Sequence, residues 1–138
     1  MKTDIKVTAR LMASILVAGG EYGEQEQAIV LEVAEALQYN EDDFFSAVEA
    51  ALDEVEELDE DKLNTTIKEQ AALVADEEIG LVFESALELS LADRVLTISE
   101  AEMLHAIAEA LGISAPMATL LIADMLKEED DIEIDLGE

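Results

Sequence analysis

The chain has 138 residues, a length that fits one domain and can bury a hydrophobic core without disulfides or a structural zinc. Its 35 acidic and 7 basic side chains give a formal charge of -28, which repels a phosphate backbone and disfavours nucleic-acid binding. The chain has no cysteine and no apolar run of membrane-spanning length, so we expect a cytoplasmic protein without a thiol nucleophile or a thiolate metal site.

Apolar residues at helical spacing, bounded by glycines, N-cap residues and acidic segments, predict an all-α bundle of about seven helices. In chain order the predicted helices cover about 3–18, 24–37, 41–52, 63–73, 78–92, 98–111 and 115–127. The acidic segments 53–61 and 76–78 are predicted to be linkers. Residues 1–127 are therefore predicted to form a single domain, followed by a disordered acidic tail over 128–138.

The two halves of the chain align when the sequence is shifted by 74 residues, which predicts two pseudo-repeated helical hairpins. The aligned positions include the apolar stripe of one helix, its start and the loop before it. The aligned pairs are Ala18 with Ala92, Glu26 with Glu100, Ile29 with Met103, Val30 with Leu104, Val33 with Ile107 and Leu37 with Leu111. We expect residues 11–52 and 85–126 to adopt the same arrangement.

The segment from Ala92 to Ile113 resembles the TerB-like family, which is associated with tellurite resistance. The family motif begins Ala-Asp-Gly and reaches a glutamate seven residues after the aspartate; Asp93 and Glu100 match it, whereas Arg94 replaces the glycine. The first repeat keeps Gly20 and Glu26 but has glycine in place of the aspartate. The resemblance covers roughly residues 11–127. It implies an all-α bundle, a bacterial stress-response role beside membrane or stress-response partners, and no catalytic activity.

The resemblance also implies that acidic residues of the two repeats hold a divalent cation. Carboxylate clusters suit hard ions such as Ca²⁺, Mg²⁺ or Mn²⁺. The candidate ligands are Asp93, Glu100 and Glu26, with Glu21 as a substitute for the missing aspartate. The structural alternative is that Glu100 belongs to a capping box with Thr97.

Enzyme function is not expected. His105 is the only histidine, and its position next to the apolar stripe of the sixth helix favours a residue at the boundary of the core over a ligand or a general base. The chain has no Gly-x-Ser-x-Gly turn, no Walker loop and few aromatic residues to line a substrate cleft.

The charge distribution points to a protein partner. No lysine or arginine occurs between Arg10 and Lys62, whereas Lys2, Lys6 and Arg10 cluster on the first helix. An acidic surface of this kind could dock a basic protein, or the first helix could neutralise neighbouring glutamates. The favoured function is a non-catalytic acidic binding module. The alternative is an acidic inhibitor, either an immunity-type protein that binds a toxin or a mimic of DNA charge.

Overall fold

The computed structural model describes residues 3–20, 22–92, 94–128 and 133–135. It confirms the all-α bundle of seven helices. The helices are α1 (Ile5–Gly19), α2 (Glu24–Ala36), α3 (Glu41–Glu56), α4 (Glu60–Ala71), α5 (Ile79–Ser90), α6 (Ile98–Ala110) and α7 (Ala115–Glu128). A single 3-10 turn, Asp76–Glu78, precedes α5, and two three-residue strands are β1 (Val95–Thr97) and β2 (Glu133–Asp135). Within these described ranges no helix is long and apolar enough to cross a membrane.

Polar caps fix where the helices begin. The Asp4 carboxylate accepts a hydrogen bond from the backbone N–H of Lys6 at 2.8 Å and starts α1. Asn40 and Asp59 start α3 and α4 in the same way, each accepting from a backbone N–H three residues later. These side chains bind amide groups that have no partner within the first turn of a helix. Polar residues in the connections therefore determine the residue at which each of these helices begins.

The third helix is longer than the sequence predicted. The acidic segment 53–61 was expected to be a linker, but α3 continues to Glu56 and only residues 57–59 separate it from α4. The reason is Val55, which is 2% exposed and continues the buried stripe of Phe44, Val48 and Ala51. Burial of this apolar face outweighs the repulsion among the surrounding acidic side chains, which all point to solvent.

The centre of the core is α1. Its buried residues include Leu11, Met12 and Ile15, each at most 1% exposed. α1 contacts α3 along its length and also packs against α4, α5 and α6. The other large buried side chains, Phe44 and Phe83, come from α3 and α5. One continuous core thus joins both halves of the chain, as expected for a single domain.

The internal repeat is present in the structure. α2 and α6 both have 13 residues, and each begins 74 residues from the other. Their buried residues correspond one to one: Glu26, Val30, Val33 and Ala34 in α2, and Glu100, Leu104, Ile107 and Ala108 in α6. Ile29 and Met103 both pack, half-buried, against the core.

Backbone conformation follows the same register. Four described residues have positive φ, and they form two pairs separated by 74 positions: Gly20 with Arg94, and Gln38 with Gly112. α2 and α6, which precede Gln38 and Gly112, end with matching hydrogen bonds. These run from Tyr39 N–H to the carbonyl of Ala34 and from Ile113 N–H to the carbonyl of Ala108. Agreement in rare left-handed conformations does not follow from shared Ala, Glu and Leu content. The alignment therefore reflects a repeated fold.

The last helix breaks the symmetry. In the first half α3 packs closely along α1, but its counterpart α7 packs mainly against α6 and makes little contact with α5. Met117 and Leu120 of α7 are about half exposed, at 49% and 55%. Among the described residues, α4 has no helical counterpart in the second half.

Part of the expected disordered tail is ordered. Residues 133–135 form β2, which pairs in parallel with β1 in a register that places Leu96 opposite Ile134. The signal is an alternation of apolar and acidic residues from Ile132 to Leu136, which is typical of a strand and which the high charge of this segment obscured. Expected-tail residues 129–132 and 136–138 lie outside the described residues, and residue 128 is the last residue of α7.

Candidate functional site

Two of the four predicted metal ligands, Glu26 and Glu100, occupy equivalent places at the starts of α2 and α6. Each is 6% exposed. An oxygen of Glu100 accepts hydrogen bonds from the backbone N–H and the hydroxyl of Thr97, both at 3.1 Å, while the Thr97 hydroxyl accepts from the N–H of Glu100. Glu26 accepts from the N–H of Gly23 at 2.9 Å. Both carboxylates therefore cap helices, which was the structural alternative for Glu100.

The Glu100 carboxylate also faces the other repeat. Its second oxygen lies so close to Gly19 that a β-carbon there would be 2.9 Å away. The start of α6 and the end of α1 are therefore in direct contact, as expected if the equivalent loops of two repeats converge. Because any larger residue would displace the carboxylate, this contact explains the glycine at position 19.

The other two predicted ligands, Asp93 and Glu21, lie outside the described residues. Within the part of the chain that the structure describes, no three His, Cys, Asp or Glu side chains are grouped closely enough to hold a metal ion. The structure thus brings Glu100 to the first-repeat loop at Gly19, and it describes no complete ligand set.

The acidic surface of α3 is a highly charged region of the fold. Eleven of the twenty-one residues from Glu41 to Asp61 are Asp or Glu, and all eleven are exposed. Residues 41–61, the acidic α3 surface, contain no lysine or arginine. Packing of the apolar stripe against α1 and α2 directs these carboxylates away from the core. Their accumulated field attracts cations and basic side chains.

The basic residues of α1 lie beside this surface. Arg10 forms an ion pair with Glu54, with its Nε atom 3.4 Å from the carboxylate, and donates a second hydrogen bond to Gln70 of α4 at 3.3 Å. Lys6 lines the same shallow cavity between α1 and α3. The first helix therefore does neutralise a neighbouring glutamate. Among the residues that the structure describes, this single ion pair leaves most of the acidic α3 surface uncompensated.

Tyr22 lies where the first-repeat loop meets α3. Its ring contacts Phe45 with centroids 6.0 Å apart. Burial, and to a lesser extent the negative charge of Glu49, raise the pKa of Tyr22 to about 12. Its hydroxyl is buried and has no hydrogen-bond partner within the described ranges. Burial without a partner costs free energy, because the hydroxyl gives up its bond to water.

A groove lies between α2, α5 and α7. Its volume is about 530 Å³, and it combines an apolar floor with a charged rim. The floor and rim are formed by Ile29, Glu32, Glu84, Glu88, Leu91, Ala92, Arg94 and Met125. The groove was not predicted from the sequence. The sequence feature related to it is the acidic residue Glu84 on α5, at the position equivalent to the basic Arg10 on α1.

His105 lies on α6 and is half-buried, at the boundary of the core as the sequence predicted. No family model, curated protein or solved structure matches this chain.

Proposed function

We propose that this protein is a non-catalytic acidic helical module that binds a protein partner with a basic surface. The observation that supports the proposal is the exposure of all eleven acidic residues of the acidic α3 surface, with one ion pair, to Arg10, at its edge. A basic partner would gain from every carboxylate that it neutralises. Uncompensated charge of this density also accelerates diffusional encounter.

The proposal has a defined salt dependence. Interactions between exposed charges are screened over about 8–10 Å at physiological ionic strength. Association with the acidic α3 surface should therefore be fast at low salt and should weaken steeply as salt is added. An apolar interface would lose little affinity under the same change.

Charge reversal tests the proposal. The variant carries Asp53, Glu54, Glu56 and Glu57 changed to lysine. The control carries the same charge change at four exposed acids elsewhere: Glu35, Glu69, Glu102 and Glu109. A pull-down from the native organism should lose its partner only with the first variant, while circular dichroism shows that both remain folded. A partner that survives the α3 reversal and high salt would refute binding through this surface.

The same experiment separates the alternative function. An immunity-type inhibitor or a mimic of DNA charge would capture a toxin or a nucleic-acid-binding protein. The activity of the captured protein would fall in proportion to the amount of inhibitor bound. The acidic α3 surface supports either kind of basic partner. The TerB-like resemblance favours a stress-response module, so we place that function first.

Binding of a divalent cation is the second candidate function. It is favoured by the position of Glu100, whose carboxylate lies against Gly19 of the other repeat and close in sequence to Asp93. We propose that Asp93 and Glu100, with Glu26 and Glu21 of the first repeat, hold Ca²⁺, Mg²⁺ or Mn²⁺ weakly. Ligation would stabilise the native state by RT ln(1 + [L]/Kd).

Thermal melts test the cation site. Each divalent ion should raise the midpoint of the wild-type protein, and Asp93→Ala should abolish the rise. The control is monovalent salt at equal ionic strength, which screens the charge of -28 without occupying a site. An equal rise in the mutant or in monovalent salt would show that screening alone is responsible.

A further inference from the structure

The groove between α2, α5 and α7 is equivalent to the place that α4 occupies in the first half. α4 packs against α1 and α6. The repeat relates α1 to α5 and α6 to α2, so the position equivalent to that of α4 lies against α5 and α2. These are the helices that line the groove, together with Met125 of α7. Among the described residues, the elements at this position in the second half are α2, α5 and α7, whereas in the first half the equivalent surface binds the helix α4.

The groove has the chemistry of a surface that binds an amphipathic helix. Ile29, Leu91 and Met125 provide apolar contacts, and methionine adapts well to partners of different shape. The rim has three acidic side chains and one basic side chain, all exposed, and therefore a net negative charge: Glu32, Glu84, Glu88 and Arg94. A helix of twelve residues, the length of α4, extends about 18 Å and presents two to three turns of apolar residues.

Charge complementarity identifies the side chains that a helix bound in this groove would carry. In the first half, Arg10 of α1 faces Gln70 of α4 at 3.3 Å. The equivalent position in α5 is Glu84, an acidic residue. A helix at the equivalent place would therefore meet a negative charge where α4 meets a positive one. Lysine or arginine on the flanks of the helix would satisfy this requirement, whereas an acidic helix such as the start of α4 would be repelled.

We propose that this groove binds a basic amphipathic helix of a partner protein. The inference rests on the proposed function, since it assumes a basic partner, and it adds a second contact that is apolar and separate from the acidic α3 surface. The apolar side of the helix would cover the groove floor, and its basic flanks would pair with Glu32 and Glu84. This contact would retain part of its affinity at high salt.

The test uses the full chain and two synthetic peptides of 18 residues, about 27 Å long as helices. The first is made of Leu and Lys, with leucine at helical spacing so that one face is apolar. The second has the same composition in scrambled order and hence the same charge. Fluorescence anisotropy should show that the helical peptide binds about tenfold more tightly or better. Its binding should perturb the methyl resonances of Ile29 and Met125.

Variants locate the site. Glu32→Lys with Glu84→Lys should weaken binding of the helical peptide about tenfold or more, because two attractions become repulsions. The control, Glu69→Lys with Glu109→Lys, has the same net charge at exposed positions outside the groove and should change the affinity by less than about threefold. Equal binding of both peptides, or equal loss in both variants, would overturn the groove and show attraction by net charge alone.

A third variant separates this inference from the proposed function. Reversal of Asp53, Glu54, Glu56 and Glu57 to lysine should leave the methyl perturbations at the groove in place. If that variant alone abolishes peptide binding, the acidic α3 surface holds the basic ligand. The groove proposal would then be overturned, and the proposed function would stand. If both sets of variants retain the native partner, the proposed function is overturned instead.

Discussion

The repeat predicts that substitutions at two equivalent helix ends change the stability of the protein in opposite directions. Gln38 and Gly112 follow α2 and α6 and have φ values of 62° and 85°. This left-handed conformation costs a residue with a β-carbon about 1–2 kcal/mol. Gln38 pays that cost and Gly112 avoids it. Gln38→Gly should therefore stabilise the protein, and Gly112→Gln should destabilise it.

The magnitudes follow from the surroundings. A β-carbon at Gly112 would meet no atom within 4 Å, so the cost of Gly112→Gln in the folded state is the backbone conformation, about 1–2 kcal/mol. The lower freedom of the unfolded chain without this glycine offsets about 0.5–1 kcal/mol, which leaves a net cost of about 0.5–1 kcal/mol. At Gln38 the same strain is relieved, but glycine also gives the unfolded chain more freedom, which offsets about 0.5–1 kcal/mol. The net gain for Gln38→Gly should thus be about 0.5–1 kcal/mol. Both residues are exposed, so little packing is lost.

Urea unfolding followed by circular dichroism measures both changes as shifts of the midpoint at constant slope. The control is Gln38→Ala, which removes the side chain but keeps the β-carbon and hence the strain. It should not stabilise the protein. If Gln38→Ala and Gln38→Gly raise the midpoint equally, the backbone argument is wrong. Stabilisation by Gly112→Gln would contradict the equivalence of the two helix ends.

Three further predictions concern single polar side chains. Thr97→Ala should lower the free energy of unfolding by about 1 kcal/mol through loss of the capping box, whereas Thr65→Ala, on an exposed face of α4, should have little effect; equal effects would contradict the capping role. Tyr39→Phe should cost about 1–2 kcal/mol, because its hydroxyl donates to the carbonyl of Thr3 at 2.9 Å, and an unchanged urea midpoint would refute this contribution. Tyr22→Phe should raise the free energy of unfolding by about 1 kcal/mol at neutral pH, since it removes a buried hydroxyl without a partner. Because the folded state raises the pKa of Tyr22 from 10.0 to about 12, the unfolded chain loses this proton first and stability declines as the pH rises over that range. Tyr22→Phe should flatten this decline, and a decline as steep as in wild type would exclude Tyr22 as its source.

Sequence periodicity predicted the helices and the repeat because both depend on local spacing. The apolar stripe and the caps lie within a few residues of one another, so their pattern can be read without knowing the tertiary packing. The predicted end of α3 was too early, because the acidic residues after position 52 obscure the one apolar residue, Val55, that continues the buried stripe. The strand at 133–135 was missed for the same reason.

The groove could not be predicted from local patterns. It exists because α7 packs against α6 and not along α5, and that choice depends on tertiary contacts. The functions of Glu26 and Glu100 were only partly predictable. A glutamate three residues after an N-cap fits both a capping box and a ligand set, and the structure shows the cap.

The way the two halves contact each other bears on how such a chain could have arisen. α1 packs against α6, and α2 packs against α5, so the second helix of each half covers the first helix of the other. A half-length chain alone would expose the apolar faces of its first and second helices to water. Two copies of it could cover them reciprocally, as in a symmetric homodimer with exchanged helices. The present chain has the architecture of such a dimer joined into one polypeptide. Once the copies are covalently linked, each is free to diverge, which is how α3 can pack along α1 while its counterpart α7 packs mainly against α6.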